Sequence, residues 1–285
     1  MNLIEGDTAS AAGRSGRRGN GGLPASRAFA FPATREGQPY VSRLASRAAF
    51  YAELHSLLAA VEGAVPRAEY RRRVIEDNVL SRRTAAAREK TWKELAARYG
   101  IDGASPLFRA FLEEYRRASS ENDRALTAYL LFALHDRLVC DLGTEWIYQY
   151  LRTAPSDLRT VDVLAFLMSR ARSHPEIAGW SASSRENIAS HYLSALKEFG
   201  LARGAQRKAS VRPAPGATPV RFLLRALQLS GVGNLAAVQS PLFRLLGLSL
   251  DETVDLLFRL SAERALRCRI QGDVVDLDLG GPDGP

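Results

Sequence analysis

Between residues 40 and 151 apolar side chains recur every three or four positions, the spacing that lines one face of a helix. A chain patterned this way buries its apolar residues by packing helix on helix. Leu44, Ala48, Tyr51, Leu54, Leu58 and Val61 form one such stripe, and Arg88, Trp92, Leu95 and Tyr99 another. Gly100 is placed to close the second helix. Ser105 and Pro106 open a further one, with Leu107, Phe108, Phe111, Leu112 and Tyr115 on its inner face. Thr144 is a candidate cap for the short piece holding Trp146, Ile147 and Tyr150. The most apolar stretch, residues 125–134, is broken by His135, Asp136 and Arg137 at roughly half the ~20 residues a bilayer span needs. It predicts a buried helix.

From residue 158 the pattern changes. Thr160 precedes a helix through Val163, Leu164, Leu167 and Met168, and Pro175 ends that segment. Ser183 and Glu186 have the S-x-x-E spacing in which a serine caps a helix and the glutamate reaches back. The helix so opened buries Ile188, Tyr192, Leu196 and Phe199 and stops at Gly200. Two short polar-apolar strips around Gly204 then predict a hairpin. The order recurs near the end: Ser249 and Glu252 repeat the cap, Val254, Leu257, Phe258 and Leu260 form the buried face, and strand, turn and strand follow around Gln271, Gly272 and Asp273. Helix, helix, hairpin is the winged-helix order. The expected fold is therefore mainly α: an N-terminal helical bundle over 40–157, then two winged-helix-like units with short β-hairpins over 158–216 and 217–285. Residues 1–39, rich in Gly, Ser, Ala and Arg, carry too few large apolar side chains to offset the entropy of ordering and predict a flexible basic arm.

Enzymatic constellations are missing from the sequence. No G-x-x-x-x-G-K loop occurs, and His55, His135, His174 and His191 never fall into H-x-H or H-E-x-x-H. Ser194 and Lys197 match S-x-x-K inside a helix without the companion motifs of that active site. His135 and Asp136 are helix neighbours that point about 100° apart, the polar edge of a core helix and not an acid-base dyad. Cys140 and Cys268 show no C-x-x-C spacing, so neither a disulfide framework nor a zinc site is signalled, and no cofactor is expected. The first residues hold acids and no apolar run, which argues against a secretory signal, and a reducing, cytoplasmic setting without membrane contact is expected.

Charge is more informative. The formal net charge is +8, and four lysines leave arginine to supply the excess. Such a balance suits a polyanionic partner. Residues 67–98 hold ten cations against five acids, and residues 180–225 eight against two. Residues 249–285 hold eight acids against four arginines. The two wings thus have opposite sign, and only the first can face phosphate. With its apolar residues turned inward, the helix after Ser183 presents Asn187, Ser190, His191, Ser194 and Lys197, side chains able to reach base edges or phosphates. Arg203, Arg207, Lys208 and Arg212, on and after the wing, would hold the DNA backbone. The alternative is a winged helix used only for packing, its basic face solvated. Arg82, Arg83 and Arg88 around the N-cap candidate Thr84 form a second backbone clamp, unless this basic run, Arg71, Arg72 and Arg73 included, pairs internally with Glu76, Asp77 and Glu89. The acidic second wing, through Asp273, Asp276 and Asp278, is expected to bind protein.

Residues 74–100, VIEDNVLSRRTAAAREKTWKELAARYG, resemble the BrxA family, a small accessory protein of BREX phage-exclusion systems. The family's N-x-L-x-[KR]-x-[ST] core and following arginine correspond to Asn78, Leu80, Arg82, Thr84 and Arg88. WSASSRENIASHYLSALKEFGLARG and the segment from Ser240 onward resemble the family's two closing winged-helix-like segments. The resemblance implies a non-enzymatic, mainly helical protein that binds double-stranded DNA beside other BREX components, among them a methyltransferase, a phosphatase-like protein and an ATPase. Two other functions fit the residues: an assembly adaptor whose basic surfaces dock acidic proteins, and a winged-helix transcriptional regulator.

Overall fold

In a computed structural model the chain is described at Phe31 and over residues 37–280. Apart from Phe31 and residues 37–39, the arm expected over 1–39 lies outside the described residues. The first half is helical throughout. α1 (Tyr51–Ala59), α2 (Arg67–Ile75), α3 (Ala85–Tyr99), α4 (Pro106–Arg117) and α5 (Glu121–His135) follow one another, and α5 is buried on nearly every side, as its apolar run requires. Caps set the starts. Thr84 Oγ1 accepts the Ala87 amide, Ser105 Oγ the Phe108 amide and Ser120 Oγ the Asp123 amide.

Asp136 separates α5 from α6 (Arg137–Asp141) by accepting the Leu138 and Val139 amides at 3.1 and 3.3 Å. It is an N-cap and shares no bond with the His135 ring, whose Nδ1 lies 2.9 Å from the Leu131 carbonyl. α6 continues through a π-helical turn, Leu142–Ile147, into α7 (Tyr148–Leu151). The expected Thr144 cap is corrected here. Asp136 already starts the helix, and Thr144 sits inside it, its hydroxyl donating to the Cys140 carbonyl four residues back. Within this turn a Cβ on Gly143 would fall 2.5 Å from the Tyr129 hydroxyl and 2.3 Å from Leu245, so only glycine admits that approach.

A two-residue strand, β1 (Asp157–Leu158), precedes α8 (Thr160–Arg170), α9 (Ala182–Glu198), β2 (Ala202–Arg203) and β3 (Lys208–Ser210). The three strands are antiparallel in the order β1-β3-β2. The cap of α9 differs from expectation. Ser181, and not Ser183, caps it, because Arg185 Nη1 donates to the carbonyls of Ile177 and Trp180 and draws the helix start back to the preceding 3₁₀ turn. Likewise Thr160 is the first residue of α8 and Arg159 the one before it.

α10 (Ala217–Leu229) packs on α4 and α5, and α11 (Asn234–Val238), α12 (Leu250–Ala262), β4 (Arg267–Gln271) and β5 (Val274–Asp278) complete the described fold. At α12 the expected capping box forms: Ser249 Oγ accepts the Glu252 amide and Glu252 accepts the Ser249 amide. Leu257 and Leu260 are buried as expected. Val254 is only half-buried and Phe258 is 45% exposed, because Thr253 and Leu256 take the inward positions instead. The apolar core runs through bundle and C-terminal elements alike. Among the described residues no helix is long and apolar enough to cross a membrane.

Candidate nucleic-acid interface

Helix α9 turns Ile188, Tyr192, Leu196 and the following Phe199 into the core. Asn187, Ser190 and Lys197 therefore stand exposed along one stripe, with Ser194 half-buried between them. The Ser194 hydroxyl donates to the Ser190 carbonyl, 3.0 Å away, and no Ser-Lys pair is formed. His191 lies beside the stripe under the 3₁₀ turn Ser42–Ala45, its Nδ1 2.7 Å from the Leu44 carbonyl. That turn belongs to a strap laid across the molecule. The Tyr40 ring stacks on His174 at 3.6 Å, the Tyr40 hydroxyl donates to Asp141 at 2.8 Å, and Arg43 pairs with Asp136 at 3.3 Å. His191 thus anchors the strap, a role invisible in the spacing of its own helix.

The hairpin after α9 turns at Gly204, whose φ of +103° lies outside ordinary side-chain geometry and whose Cβ, if present, would fall 2.0 Å from the Arg207 carbonyl. Between α9 and this hairpin runs an open groove of about 600 Å³, with Ser190 and Leu193 on one wall and Gln206, Arg207 and Lys208 on the other. Asp157, Leu158, Arg159 and Thr160 complete its lining. These four were missed in the sequence. β1 has two residues, and its partner β3 lies some fifty positions on, so only the single apolar Leu158 among polar neighbours signals it. Arg159 forks onto Asp162 at 2.8 and 2.9 Å and so brings little free charge to the groove.

Most other cations are committed internally. Arg71 pairs with Glu89, and Arg72 and Arg73 share Glu69 and Asp77. Arg82 pairs with Glu53, and its amide is accepted by Asn78 Oδ1 at 2.8 Å. Arg88 donates to the Ile75 carbonyl at 2.7 Å and closes α2. Arg98, wholly buried, donates to the carbonyls of Arg43, Arg47 and Ala48 and pairs with Glu94. Arg212 joins Arg152 on Glu252. Arg221 and Arg225 meet the buried Glu114 at 2.8 and 3.2 Å. Of the 67–98 run, Arg71, Arg72, Arg73, Arg82 and Arg98 are ion-paired internally and Arg88 meets a carbonyl, whereas Arg67, Arg83, Lys90 and Lys93 are exposed and make no ion pair among the described residues. Asn78 and Ser81, with φ of +51° and +52°, hold the Arg82-Arg83 turn in a left-handed backbone that non-glycine residues seldom adopt. Among the described residues Lys197, Arg203, Arg207 and Lys208 make no ion pair, and all four lie on α9 or its hairpin.

The acidic hairpin is partly self-neutralised. Arg267 of β4 faces Asp276 and Asp278 of β5 at 3.6 and 3.7 Å, while Leu277 is buried on the opposite face. Cys140 and Cys268 are free and buried. Among the described residues no group of three or more His, Cys, Asp or Glu side chains could hold a metal ion.

These features define a mainly helical protein in which four unpaired cations lie on one helix and the hairpin that follows it. The BrxA family model matches residues 38–227, more than half of the chain, and the chain belongs to the BrxA family. Membership associates it with BREX phage exclusion, and BrxA is not a known enzyme family. The match opens just before the Tyr40 strap and ends in the last turns of α10, so α11, α12 and the second hairpin lie beyond it. No curated protein matches the chain.

Proposed function

We propose that this protein is a double-stranded DNA-binding accessory of a BREX-type phage-defence system, acting without catalysis beside the system's larger components. The observation that carries the reading is the groove between α9 and its hairpin, which sets the unpaired Arg207 and Lys208 opposite Ser190, with the unpaired Lys197 and Arg203 on the same two elements. The order β1-α8-α9-β2-β3, with β1 joined to β3, supports a winged-helix unit whose second helix enters the major groove. Asn187 and Ser190 would then approach base edges, and Lys197, Arg203, Arg207 and Lys208 would meet phosphates. A single recognition helix reads few bases, so binding should show little sequence preference.

Titration of a labelled random-sequence duplex tests this. Binding at low salt should weaken with a log-log slope near -3.6, about -0.9 for each of the four phosphates these side chains can neutralise. Absence of binding at low salt would overturn it.

A further inference from the structure

Among the described residues five large apolar side chains are conspicuously exposed, and two of them, Leu250 at 50% and Phe258 at 45%, lie eight residues apart on α12. The half-buried Val254 falls midway between them. At 3.6 residues per turn the three form a ridge that winds slowly across the outer face, while Thr253, Leu256, Leu257 and Leu260 hold the inner face to the core. Asp251 and Asp255 are exposed beside this ridge, and neither makes an ion pair among the described residues. Their acidic neighbours differ. Glu252 is held by Arg152 and Arg212, and Asp276 and Asp278 by Arg267. Arg259 bounds the far edge of the face.

An apolar ridge costs free energy in water, and two uncompensated carboxylates beside it favour a positive counterpart. On a chain of net charge +8 this acidic patch is also where a DNA backbone is least welcome. We propose that the outer face of α12 docks a basic amphipathic helix of another protein, its apolar side chains against Leu250, Val254 and Phe258 and its Lys or Arg side chains on Asp251 and Asp255. The protein-binding role expected of the acidic hairpin thereby moves to the helix before it. α12 lies beyond the family match, so this docking face is separate from the DNA reading and survives its failure.

The test uses the full chain and a synthetic helical peptide of leucine and lysine, leucines spaced four and three residues apart, with a scrambled peptide of the same composition as control. The helical peptide should bind and the scrambled one should bind at least about tenfold more weakly. Phe258→Ser, and separately Asp251→Lys with Asp255→Lys, should each weaken binding by a similar factor. All three sites are exposed, so circular dichroism should stay unchanged; duplex affinity should hold for Phe258→Ser and should not fall for the double lysine variant. Equal binding by wild type and variants, or no peptide binding, would overturn the proposal. So would self-association in sedimentation that Phe258→Ser abolishes, which would make a second copy the occupant, or a tenfold gain in peptide affinity on deleting residues 1–30, which would make the chain's own arm the occupant.

Discussion

Arg98 carries a full charge into the interior and directs it at main-chain carbonyls. Its Nε reaches Ala48, its Nη2 reaches Arg43 and Arg47, and its guanidinium lies over the Phe50 ring. The 43–50 segment has no long helix to satisfy these carbonyls, so one side chain of α3 does it. Arg98→Met would keep the volume and leave the carbonyls dry and unpaired, and should cost roughly 3 kcal/mol. A urea midpoint that falls with an unchanged slope would report this loss, and an unchanged midpoint would refute the role assigned to Arg98. None of this is legible in the sequence, where Arg98 is one more cation of a basic run. The partner of Arg82 is equally hidden, because Arg82 sits in the turn between α2 and α3 and Glu53 stands twenty-nine positions away on α1. Ile188, Tyr192, Leu196 and Phe199, in contrast, are readable from their spacing alone, since burial on one face of a helix is a local pattern.

At the scale of elements, caps explain both what the sequence reveals and where it misleads. Ser249 and Glu252 form the box their spacing announces, whereas Ser183 and Glu186 share that spacing and do not, since Arg185 anchors an earlier start. Glu252 also binds two arginines. Burial alone would raise its carboxyl, but the Ser249 amide, Arg152 and Arg212 together hold it at about 2, against an ordinary 4.5. A carboxyl depressed on folding stabilises the fold above its unfolded value and loses that contribution as pH falls toward the folded one. Glu252→Gln should therefore lower stability by about 1–2 kcal/mol at neutral pH. The deficit should shrink between pH 4.5 and about 2 in thermal melts, and a deficit constant across that range would contradict the assignment. Glu198 has the opposite sign. Burial, with Glu53 nearby, raises its carboxyl while it accepts the Tyr51 amide at the start of α1. Its ionisation opposes folding as pH rises through the raised value. The strand β1 shows what element-scale patterns omit, because two residues are too few to carry a period.

In the whole molecule, helix α10 joins what the sequence divides at residue 217. Asp123 of α5 accepts the Gly216 amide at 2.9 Å, and Glu114 of α4 lies buried beneath Arg221 and Arg225. The same two arginines donate to the carbonyls of Ala265 and Gly280, so bundle and C-terminal elements share one set of buried contacts. Thermal unfolding should accordingly follow a single transition by near- and far-UV circular dichroism, and two separated transitions would show that the C-terminal elements fold alone. The helical class and the order of elements were legible because they rest on local periodicity. The sorting of arginines into paired and free was not, because it depends on contacts between distant helices. Lys197, Arg203, Arg207 and Lys208 are among the unpaired cations, and the proposed function rests on these four because they share one helix and its hairpin. The most direct test is Arg207→Glu with Lys208→Glu, two side chains on the groove wall whose reversal should leave the melting temperature nearly unchanged. Duplex affinity should fall at least about tenfold at low salt, and the salt slope should shrink by nearly two contacts. A folded double variant that binds duplex as tightly as the native chain, with the same slope, would contradict it.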